Sequence, residues 1–224
     1  MDNLITKFNN LKIDNENKSA IVIQKYFRGY LQRKNNAKLS DNVNFDIMNE
    51  MLSKYIDNMT FTEYINKKLS NKKCRYDNFP SQVSENIVKF AIYKKYKIMP
   101  NWDIKGGDLF ISICNKMIEV KAFMSDGPSS FGPSKNWNWI YFVDAKDCKN
   151  GNFIVYEIKL SNKSNIWRNI ELSKKSGTYG KIADENKRGL LRGCFYDIFK
   201  PQLDKKNCCK IIFNGNIREL QPTF

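Results

Sequence analysis

The chain has 224 residues, enough for one sizeable core and too few for two large domains. Its 38 Lys and Arg outnumber 23 Asp and Glu, giving a formal charge of +15, with +5 on residues 1–40 and +10 on the rest; a polyanionic partner is expected. Histidine is absent, which excludes Ser-His-Asp and Cys-His catalysis, His-containing zinc sites and imidazole general bases. Any hydrolysis must run on carboxylates, lysine, tyrosine, thiols or a metal.

In chain order, residues 1–18 are an Asn- and Lys-rich leader. Ser19 is placed to cap a basic amphipathic helix to about Lys38, with Ile23, Phe27, Tyr30 and Leu31 on one stripe. Asn35-Asn36 and Ser40-Asp41-Asn42 mark a soft boundary, so that 1–42 form a leader and basic helix and 43–224 a body with a helical lead-in over about 43–78. The lead-in reads as two helices, about Phe45–Tyr55 and Phe61–Leu69, followed by the basic loop Asn71–Arg75. A helix preceded by Ser81 then carries Val83, Ile87, Val88, Phe90 and Ala91 on its apolar face and ends near Lys94–Lys97.

Four strand-like runs follow, Leu109–Cys114, Met117–Phe123, Ile140–Asp144 and Phe153–Leu160, with a hairpin turn at Asn115-Lys116 between the first two. Ser173 to Arg192 is basic and punctuated by glycine, and Phe195–Phe199 and Lys210–Phe213 offer one more helix or strand each. The six cysteines contain no CxxC pair and read as free thiols of a reducing compartment. No signal region is visible and no apolar run approaches the ~18 residues of a membrane span, so an intracellular, soluble protein is expected.

The chemistry concentrates in Gly106-Gly107-Asp108-Leu109-Phe110-Ile111 and Ile118-Glu119-Val120-Lys121. Side chains alternate along a strand, so Glu119 and Lys121 share one face while Val120 turns to the other, into the core. Two carboxylates brought together can hold Mg²⁺ through hard oxygens, and a neighbouring lysine can orient or help deprotonate the attacking water. Glu157-Ile158-Lys159 repeats the triplet on another apolar strand, without a Gly-Gly-Asp lead-in, and ranks behind. A tight two-residue turn at Asn115-Lys116 would set Glu119 opposite Ser112 and leave Asp108 ~13 Å away, at about 3.3 Å per residue. Either the incoming strand bends or a bulge shifts the register.

The window Asp108…Glu119-Val120-Lys121 resembles the PD-(D/E)xK nuclease superfamily, with Gly107 where the name-giving proline often stands. The next segment, Ser125-Asp126-Gly127-Pro128-Ser129-Ser130-Phe131-Gly132-Pro133, and then Trp137 and Ile140-Tyr141-Phe142-Val143-Asp144-Ala145, resembles a subset of type II restriction endonucleases over roughly Phe79 to Arg192. The resemblance implies an α/β fold, a restriction-endonuclease-like mixed central sheet flanked by helices with an N-terminal helical extension. It implies Asp108 and Glu119 as Mg²⁺ ligands, Lys121 as the water-activating residue and Glu85, on the preceding helix, as an additional acid. The activity implied is sequence-specific cleavage of double-stranded DNA to 5′-phosphate ends by a homodimer, since two-fold symmetry suits a palindrome. The alternative is a calmodulin-linked DNA-binding protein with an inactive nuclease fold.

Ser125, Ser129 and Ser130, on a segment stiffened by two Gly-Pro pairs, are candidates for the DNA backbone, or the segment is a plain connector. Lys181, Arg188 and Arg192 are candidates for gripping or reading DNA, or part of a solvated basic face.

Ile23-Gln24-Lys25-Tyr26-Phe27-Arg28-Gly29-Tyr30-Leu31-Gln32-Arg33 resembles a complete IQ motif, the calmodulin-binding pattern. It implies that Ile23 and Phe27 enter an apolar groove while Gln24, Arg28 and Arg33, with Gly29 between, meet the acidic surfaces of calmodulin or a calmodulin-like light chain. Calmodulin is eukaryotic, so the motif implies a eukaryotic setting or a virus or parasite of one; a large DNA virus fits the Asn-, Lys- and Ile-rich composition.

Overall fold

The computed structural model describes residues 44–69, 74–102, 108–128, 136–173, 177–184 and 195–222, and the helix expected over 19–38 lies outside them. The described residues from Phe45 onward belong to one compact unit.

Helix α1 (44–68) is continuous where the sequence predicts two helices. Phe45, Met48, Leu52 and Tyr55 are buried at three- and four-residue spacing, and the half-buried Met59 continues the stripe across the expected gap. Polar side chains in that gap are bonded without breaking the helix. Thr60 Oγ1 donates to the Ile56 carbonyl at 2.9 Å, and Asn58 Nδ2 donates to Asp77 Oδ2 at 2.6 Å.

Helix α2 (Ser81–Tyr96) follows Pro80, which occupies the N-cap position; Ser81 is the first helical residue and supplies no side-chain cap. The helix closes at Lys97, whose φ of 59° is left-handed and whose N–H donates to the Tyr93 carbonyl at 2.8 Å. Lys94 and Lys95 lie in the last turn, where the helix dipole favours them.

The strands are β1 (Asn101–Trp102), β2 (Leu109–Ile111), β3 (Lys116–Phe123), β4 (Trp139–Asp144), β5 (Asn152–Ile158), β6 (Glu171–Ser173), β7 (Gly177–Thr178) and β8 (Lys210–Asn216). The central sheet has the order β1-β2-β3-β4-β5-β8, and β6 and β7 pair separately. Only β3 and β4 run parallel; the other neighbours are antiparallel, which makes the sheet mixed. The short β1 is not anticipated in the sequence, because its Asn101-Trp102 side chains are exposed and leave no alternating pattern.

Both faces of the sheet are covered. Ile118, Val120, Tyr141, Val143 and Val155 form one core with α1 and α2. Phe123, Ile140, Phe142, Tyr156 and Ile158 form the other, with residues from α3 (Asn165–Arg168), α4 (Tyr179–Asp184), the π turn Phe195–Phe199 and α5 (Lys200–Asp204). Strand β4 is therefore buried from both sides, as its unbroken apolar run requires. The five described cysteines are free thiols. Among the described residues no helix is long and apolar enough to cross a membrane.

Candidate active site

The hairpin between β2 and β3 decides how the carboxylates meet. Residues Ser112–Cys114, expected to extend the strand, wind into a 3₁₀ turn that ends at Asn115 in the left-handed region, φ 53°. Asn tolerates this conformation better than most residues. The connection therefore takes four residues instead of two. It pairs Leu109 with Ile118, Phe110 with Met117 and Ile111 with Lys116.

One step further along this register, Asp108 stands level with Glu119. The Asp108 N–H donates to the Ile118 carbonyl at 3.1 Å, and its Oδ2 accepts the Val120 N–H at 2.7 Å. The ~13 Å separation that a two-residue turn imposes is removed by the turn itself, without a bulge between the two strands.

Glu119 and Lys121 project from the face that carries Phe123, opposite the face of Ile118 and Val120. The carboxylate is almost wholly buried, with 3% of its side-chain surface exposed, while Lys121 retains 23%; Lys121 Nζ lies 2.5 Å from Glu119 Oε1. A charge this deep is costly to hold without an ionic partner, and the lysine supplies one while keeping a path to solvent. Ile140 and Phe142 flank the pair on the parallel strand. Tyr179 of α4 lies in the core on this side of the sheet; burial pushes its hydroxyl up to about 12, a bond with Trp167 opposes the shift, and the Glu119 charge adds to it. Glu85 is half-buried on α2, the helix that covers the Ile118–Val120 face.

The second Glu-x-Lys triplet is built differently. Glu157 pairs with Tyr141 across β4 and β5 and lies on the α1–α2 side of the sheet. Its carboxylate accepts from Tyr141 OH at 2.8 Å and Tyr96 OH at 2.9 Å, and Lys159 Nζ approaches to 3.3 Å. Lys159 also sits over the rings of Tyr96 and Trp139, 4.5 and 4.8 Å from their centroids. Burial, then the Glu157 bond and charge, push Tyr96 up to about 12 and Tyr141 still higher. Two phenols and an ammonium close this carboxylate off from other ligands.

A third group lies at the far end of β4. Tyr196 OH donates to the buried Asp144, bonds to Tyr156 OH at 2.9 Å, and has Lys146 Nζ 4.3 Å above its ring. Lys146 Nζ also lies 3.6 Å from Asp126 Oδ1, and the Asp126 carbonyl accepts the N–H groups of Phe195 and Tyr196, each at 3.0 Å. The segment leaving β3 is thereby tied to the turn that follows residues 185–194. No sequence signal beyond Asp144-Ala145-Lys146 itself pointed to this group.

Among the other predicted site residues, Ser125 is exposed and its Oγ donates to the Gly127 carbonyl at 3.4 Å, and Lys181 is exposed on α4. Ser129, Ser130, Arg188 and Arg192 lie outside the described residues, as do Ile23, Gln24, Phe27, Arg28, Gly29 and Arg33. Among the described residues no group of three or more Cys, Asp or Glu could hold a metal ion. Asp108 and Glu119 offer two hard carboxylates with no thiolate or imidazole beside them, a donor set that suits Mg²⁺ with waters retained and does not suit zinc.

A mixed sheet covered by helices on both faces, with an acid facing Glu-x-Lys across one hairpin, has the architecture of the restriction-endonuclease-like nucleases. The family model for Bsp6I restriction endonuclease matches residues 41–190, more than half of the chain, and the protein belongs to that family. The match begins ahead of Phe79 and takes in α1, in keeping with the place of Phe45, Met48, Leu52 and Tyr55 in the sheet's core. A second match, to the IQ calmodulin-binding motif, covers residues 17–35. No curated protein and no solved structure matches the chain.

Proposed function

We propose that the protein is a Mg²⁺-dependent, sequence-specific endonuclease of double-stranded DNA that hydrolyses phosphodiesters to 5′-phosphate and 3′-hydroxyl ends. The observation that carries this reading is the register that sets Asp108 level with Glu119, with Lys121 at contact distance on the same face. Asp108 and Glu119 are the residues that would hold the cation. When bound, Mg²⁺ supplies charge neutralisation at the scissile phosphate and activation of the attacking water. Asp108 is oriented by the Val120 N–H, Glu119 is paired with Lys121, and the partly exposed Lys121 ammonium is placed to orient that water. Glu85 lies on α2, which covers the face of the sheet opposite Glu119, and is proposed only as an outer acid outside the hairpin pair. Two copies would act together on a palindrome, each cutting one strand.

Plasmid incubated with Mg²⁺ should yield discrete fragments, and sequencing of the fragment ends should return one recognition sequence with 5′-phosphates. Glu119→Ala and Lys121→Ala should abolish the fragments, whereas Glu85→Ala should reduce cutting less. Persistent cutting by both hairpin variants would sink the site assignment. A wild type that binds DNA but never cuts it would instead support an inactive nuclease fold.

For the front of the chain the IQ match supports a calmodulin-type partner on residues 17–35. Capture on immobilised calmodulin, with and without Ca²⁺, should succeed for the full chain and fail for Ile23→Asp/Phe27→Asp. Equal capture of both chains counts against the assignment.

A further inference from the structure

We propose that Arg168 and Lys181 form a seat for a DNA backbone phosphate beside the face that holds Glu119; this rests on the nuclease reading above. The seat is a product of packing in the second core. Trp167 is wholly buried, edge-on to Trp137 at 5.3 Å and to Tyr179 at 5.5 Å, and all three rings belong to the core on the Phe123 side of the sheet, from which Glu119 projects. The chain neighbours of these two buried rings, Arg168 after Trp167 and Gly180-Lys181 after Tyr179, are thereby brought together at the surface. They line a cavity of about 450 Å³ with Asn169, Thr178 and Asp184.

The chemistry of that lining suits a phosphodiester. Lys181 contributes an exposed ammonium and Arg168 a half-buried guanidinium, the side chain that best matches two phosphate oxygens. Gly180 permits the arginine to lie where it does. A Cβ at position 180 would stand 3.0 Å from the Arg168 carbonyl oxygen, 3.1 Å from its Cβ and 3.3 Å from its Nε, so any side chain there would push the guanidinium aside. Asp184 Oδ2 holds Arg168 Nη2 at 2.6 Å. Asp184 is 68% exposed, so water screens this pair and an incoming phosphate can compete for the arginine. In the absence of DNA the aspartate holds the arginine at the cavity wall, and it sets a limit on how tightly an anion is held.

The two cations belong to different segments, 165–168 and 179–184, which the Trp167–Tyr179 contact, the Tyr179 N–H bond to the Ile170 carbonyl and the β6–β7 pairing bring together. A phosphate contact positions the duplex without reading bases, so its signature is a loss of affinity that is the same for every sequence.

The test measures binding of the full chain to fluorescent duplexes in EDTA, which prevents cutting, over a range of salt concentrations. Arg168→Ala should weaken binding about tenfold near 0.1 M salt, equally on cognate and unrelated duplexes, and should lower the slope of log affinity against log salt by about one. Asp184→Asn removes only the competing carboxylate and should tighten binding, and Arg168→Lys should restore part of what alanine loses. If the wild type binds and cuts DNA while Arg168→Ala and Asp184→Asn keep its affinity and salt slope, the seat is refuted and the nuclease reading stands. If the wild type neither binds nor cuts any duplex, both fall together. A loss of inorganic phosphate binding in Arg168→Ala, measured by calorimetry, with unchanged DNA affinity would also refute the assignment to DNA.

Discussion

The molecule carries the same triplet twice, Glu119-Val120-Lys121 on β3 and Glu157-Ile158-Lys159 at the end of β5, and the two copies sit in different surroundings. In both, period-two alternation sets the carboxylate and the lysine on one face and buries the residue between them. In both the glutamate is nearly inaccessible, with 3% of its side-chain surface exposed. The difference lies in what stands across from them. Glu119 has Asp108 level with it across the hairpin, whereas Glu157 faces Tyr141 and accepts a second phenol from Tyr96. A pair of acids is a place for a cation; an acid ringed by hydroxyl donors is a satisfied structural anion. The triplet alone therefore says little about catalysis, and the cross-strand neighbour says a great deal.

The largest effect that would break this contrast is on cleavage. Glu119→Gln should lower the rate of plasmid cutting by at least about a hundredfold. It should leave the thermal midpoint unchanged or raised, because it removes a buried charge. Lys121→Ala should lose cutting too but should melt below Glu119→Gln, since it leaves the buried carboxylate without its ammonium. Equal melting of the two variants would mean that their ion pair has no bearing on stability.

On the other copy the signs reverse. Glu157→Gln and Tyr141→Phe should each cost about 1–3 kcal/mol of stability, by leaving a buried group short of a partner, while cutting persists. Denaturant titration and plasmid cleavage measure the two sides. Loss of cutting at full stability in Glu157→Gln would reverse the ranking of the two triplets.

A smaller effect is expected at the turn that sets the register. Asn115→Gly should be tolerated, whereas Asn115→Val should cost about 1–2 kcal/mol, because a β-branched residue resists a φ of 53°. Reduced cutting by Asn115→Val at a temperature where it remains folded would link register to activity.

The smallest effect is on pH dependence. Tyr96 is held up to about 12 in the folded chain, from an ordinary value of 10.0. A raised folded value means the native state prefers the protonated phenol. Its stabilising contribution is therefore complete below about pH 10 and is lost as pH climbs towards about 12. Tyr55 and Tyr179 share that direction and range, so Tyr96→Phe should make the alkaline loss of stability shallower without abolishing it. Identical alkaline profiles for the two proteins would show that the Tyr96–Glu157 bond is not coupled to folding.

Much of the architecture was legible in the sequence because it depends on local pattern. The apolar runs at Ile140–Asp144 and Phe153–Leu160 read as strands and lie on strands Trp139–Asp144 and Asn152–Ile158, the second ending two residues early, and the stripe Val83, Ile87, Phe90, Ala91 lies on a core-facing helix. The differences fall at the ends of elements, where local pattern is weakest. The gap expected between Tyr55 and Phe61 is closed, because Ile56 and Met59 pack against the core while Asp77 and the Ile56 carbonyl take up Asn58 and Thr60, so the helix runs through. The expected strand to Cys114 gave way to a 3₁₀ turn, which apolar Ile113 does not announce.

By itself, then, the sequence determined which residue types were available, the absence of imidazole, and the shared face of Glu119 and Lys121, because alternation along one strand is a property of the backbone. Only the tertiary structure decided that Asp108 stands level with Glu119, that tyrosines close around Glu157, and that Arg168 and Lys181 line one cavity. The first and third depend on hairpin register and ring packing, and the second on elements 61 residues apart, none of which a residue pattern along one strand or helix contains.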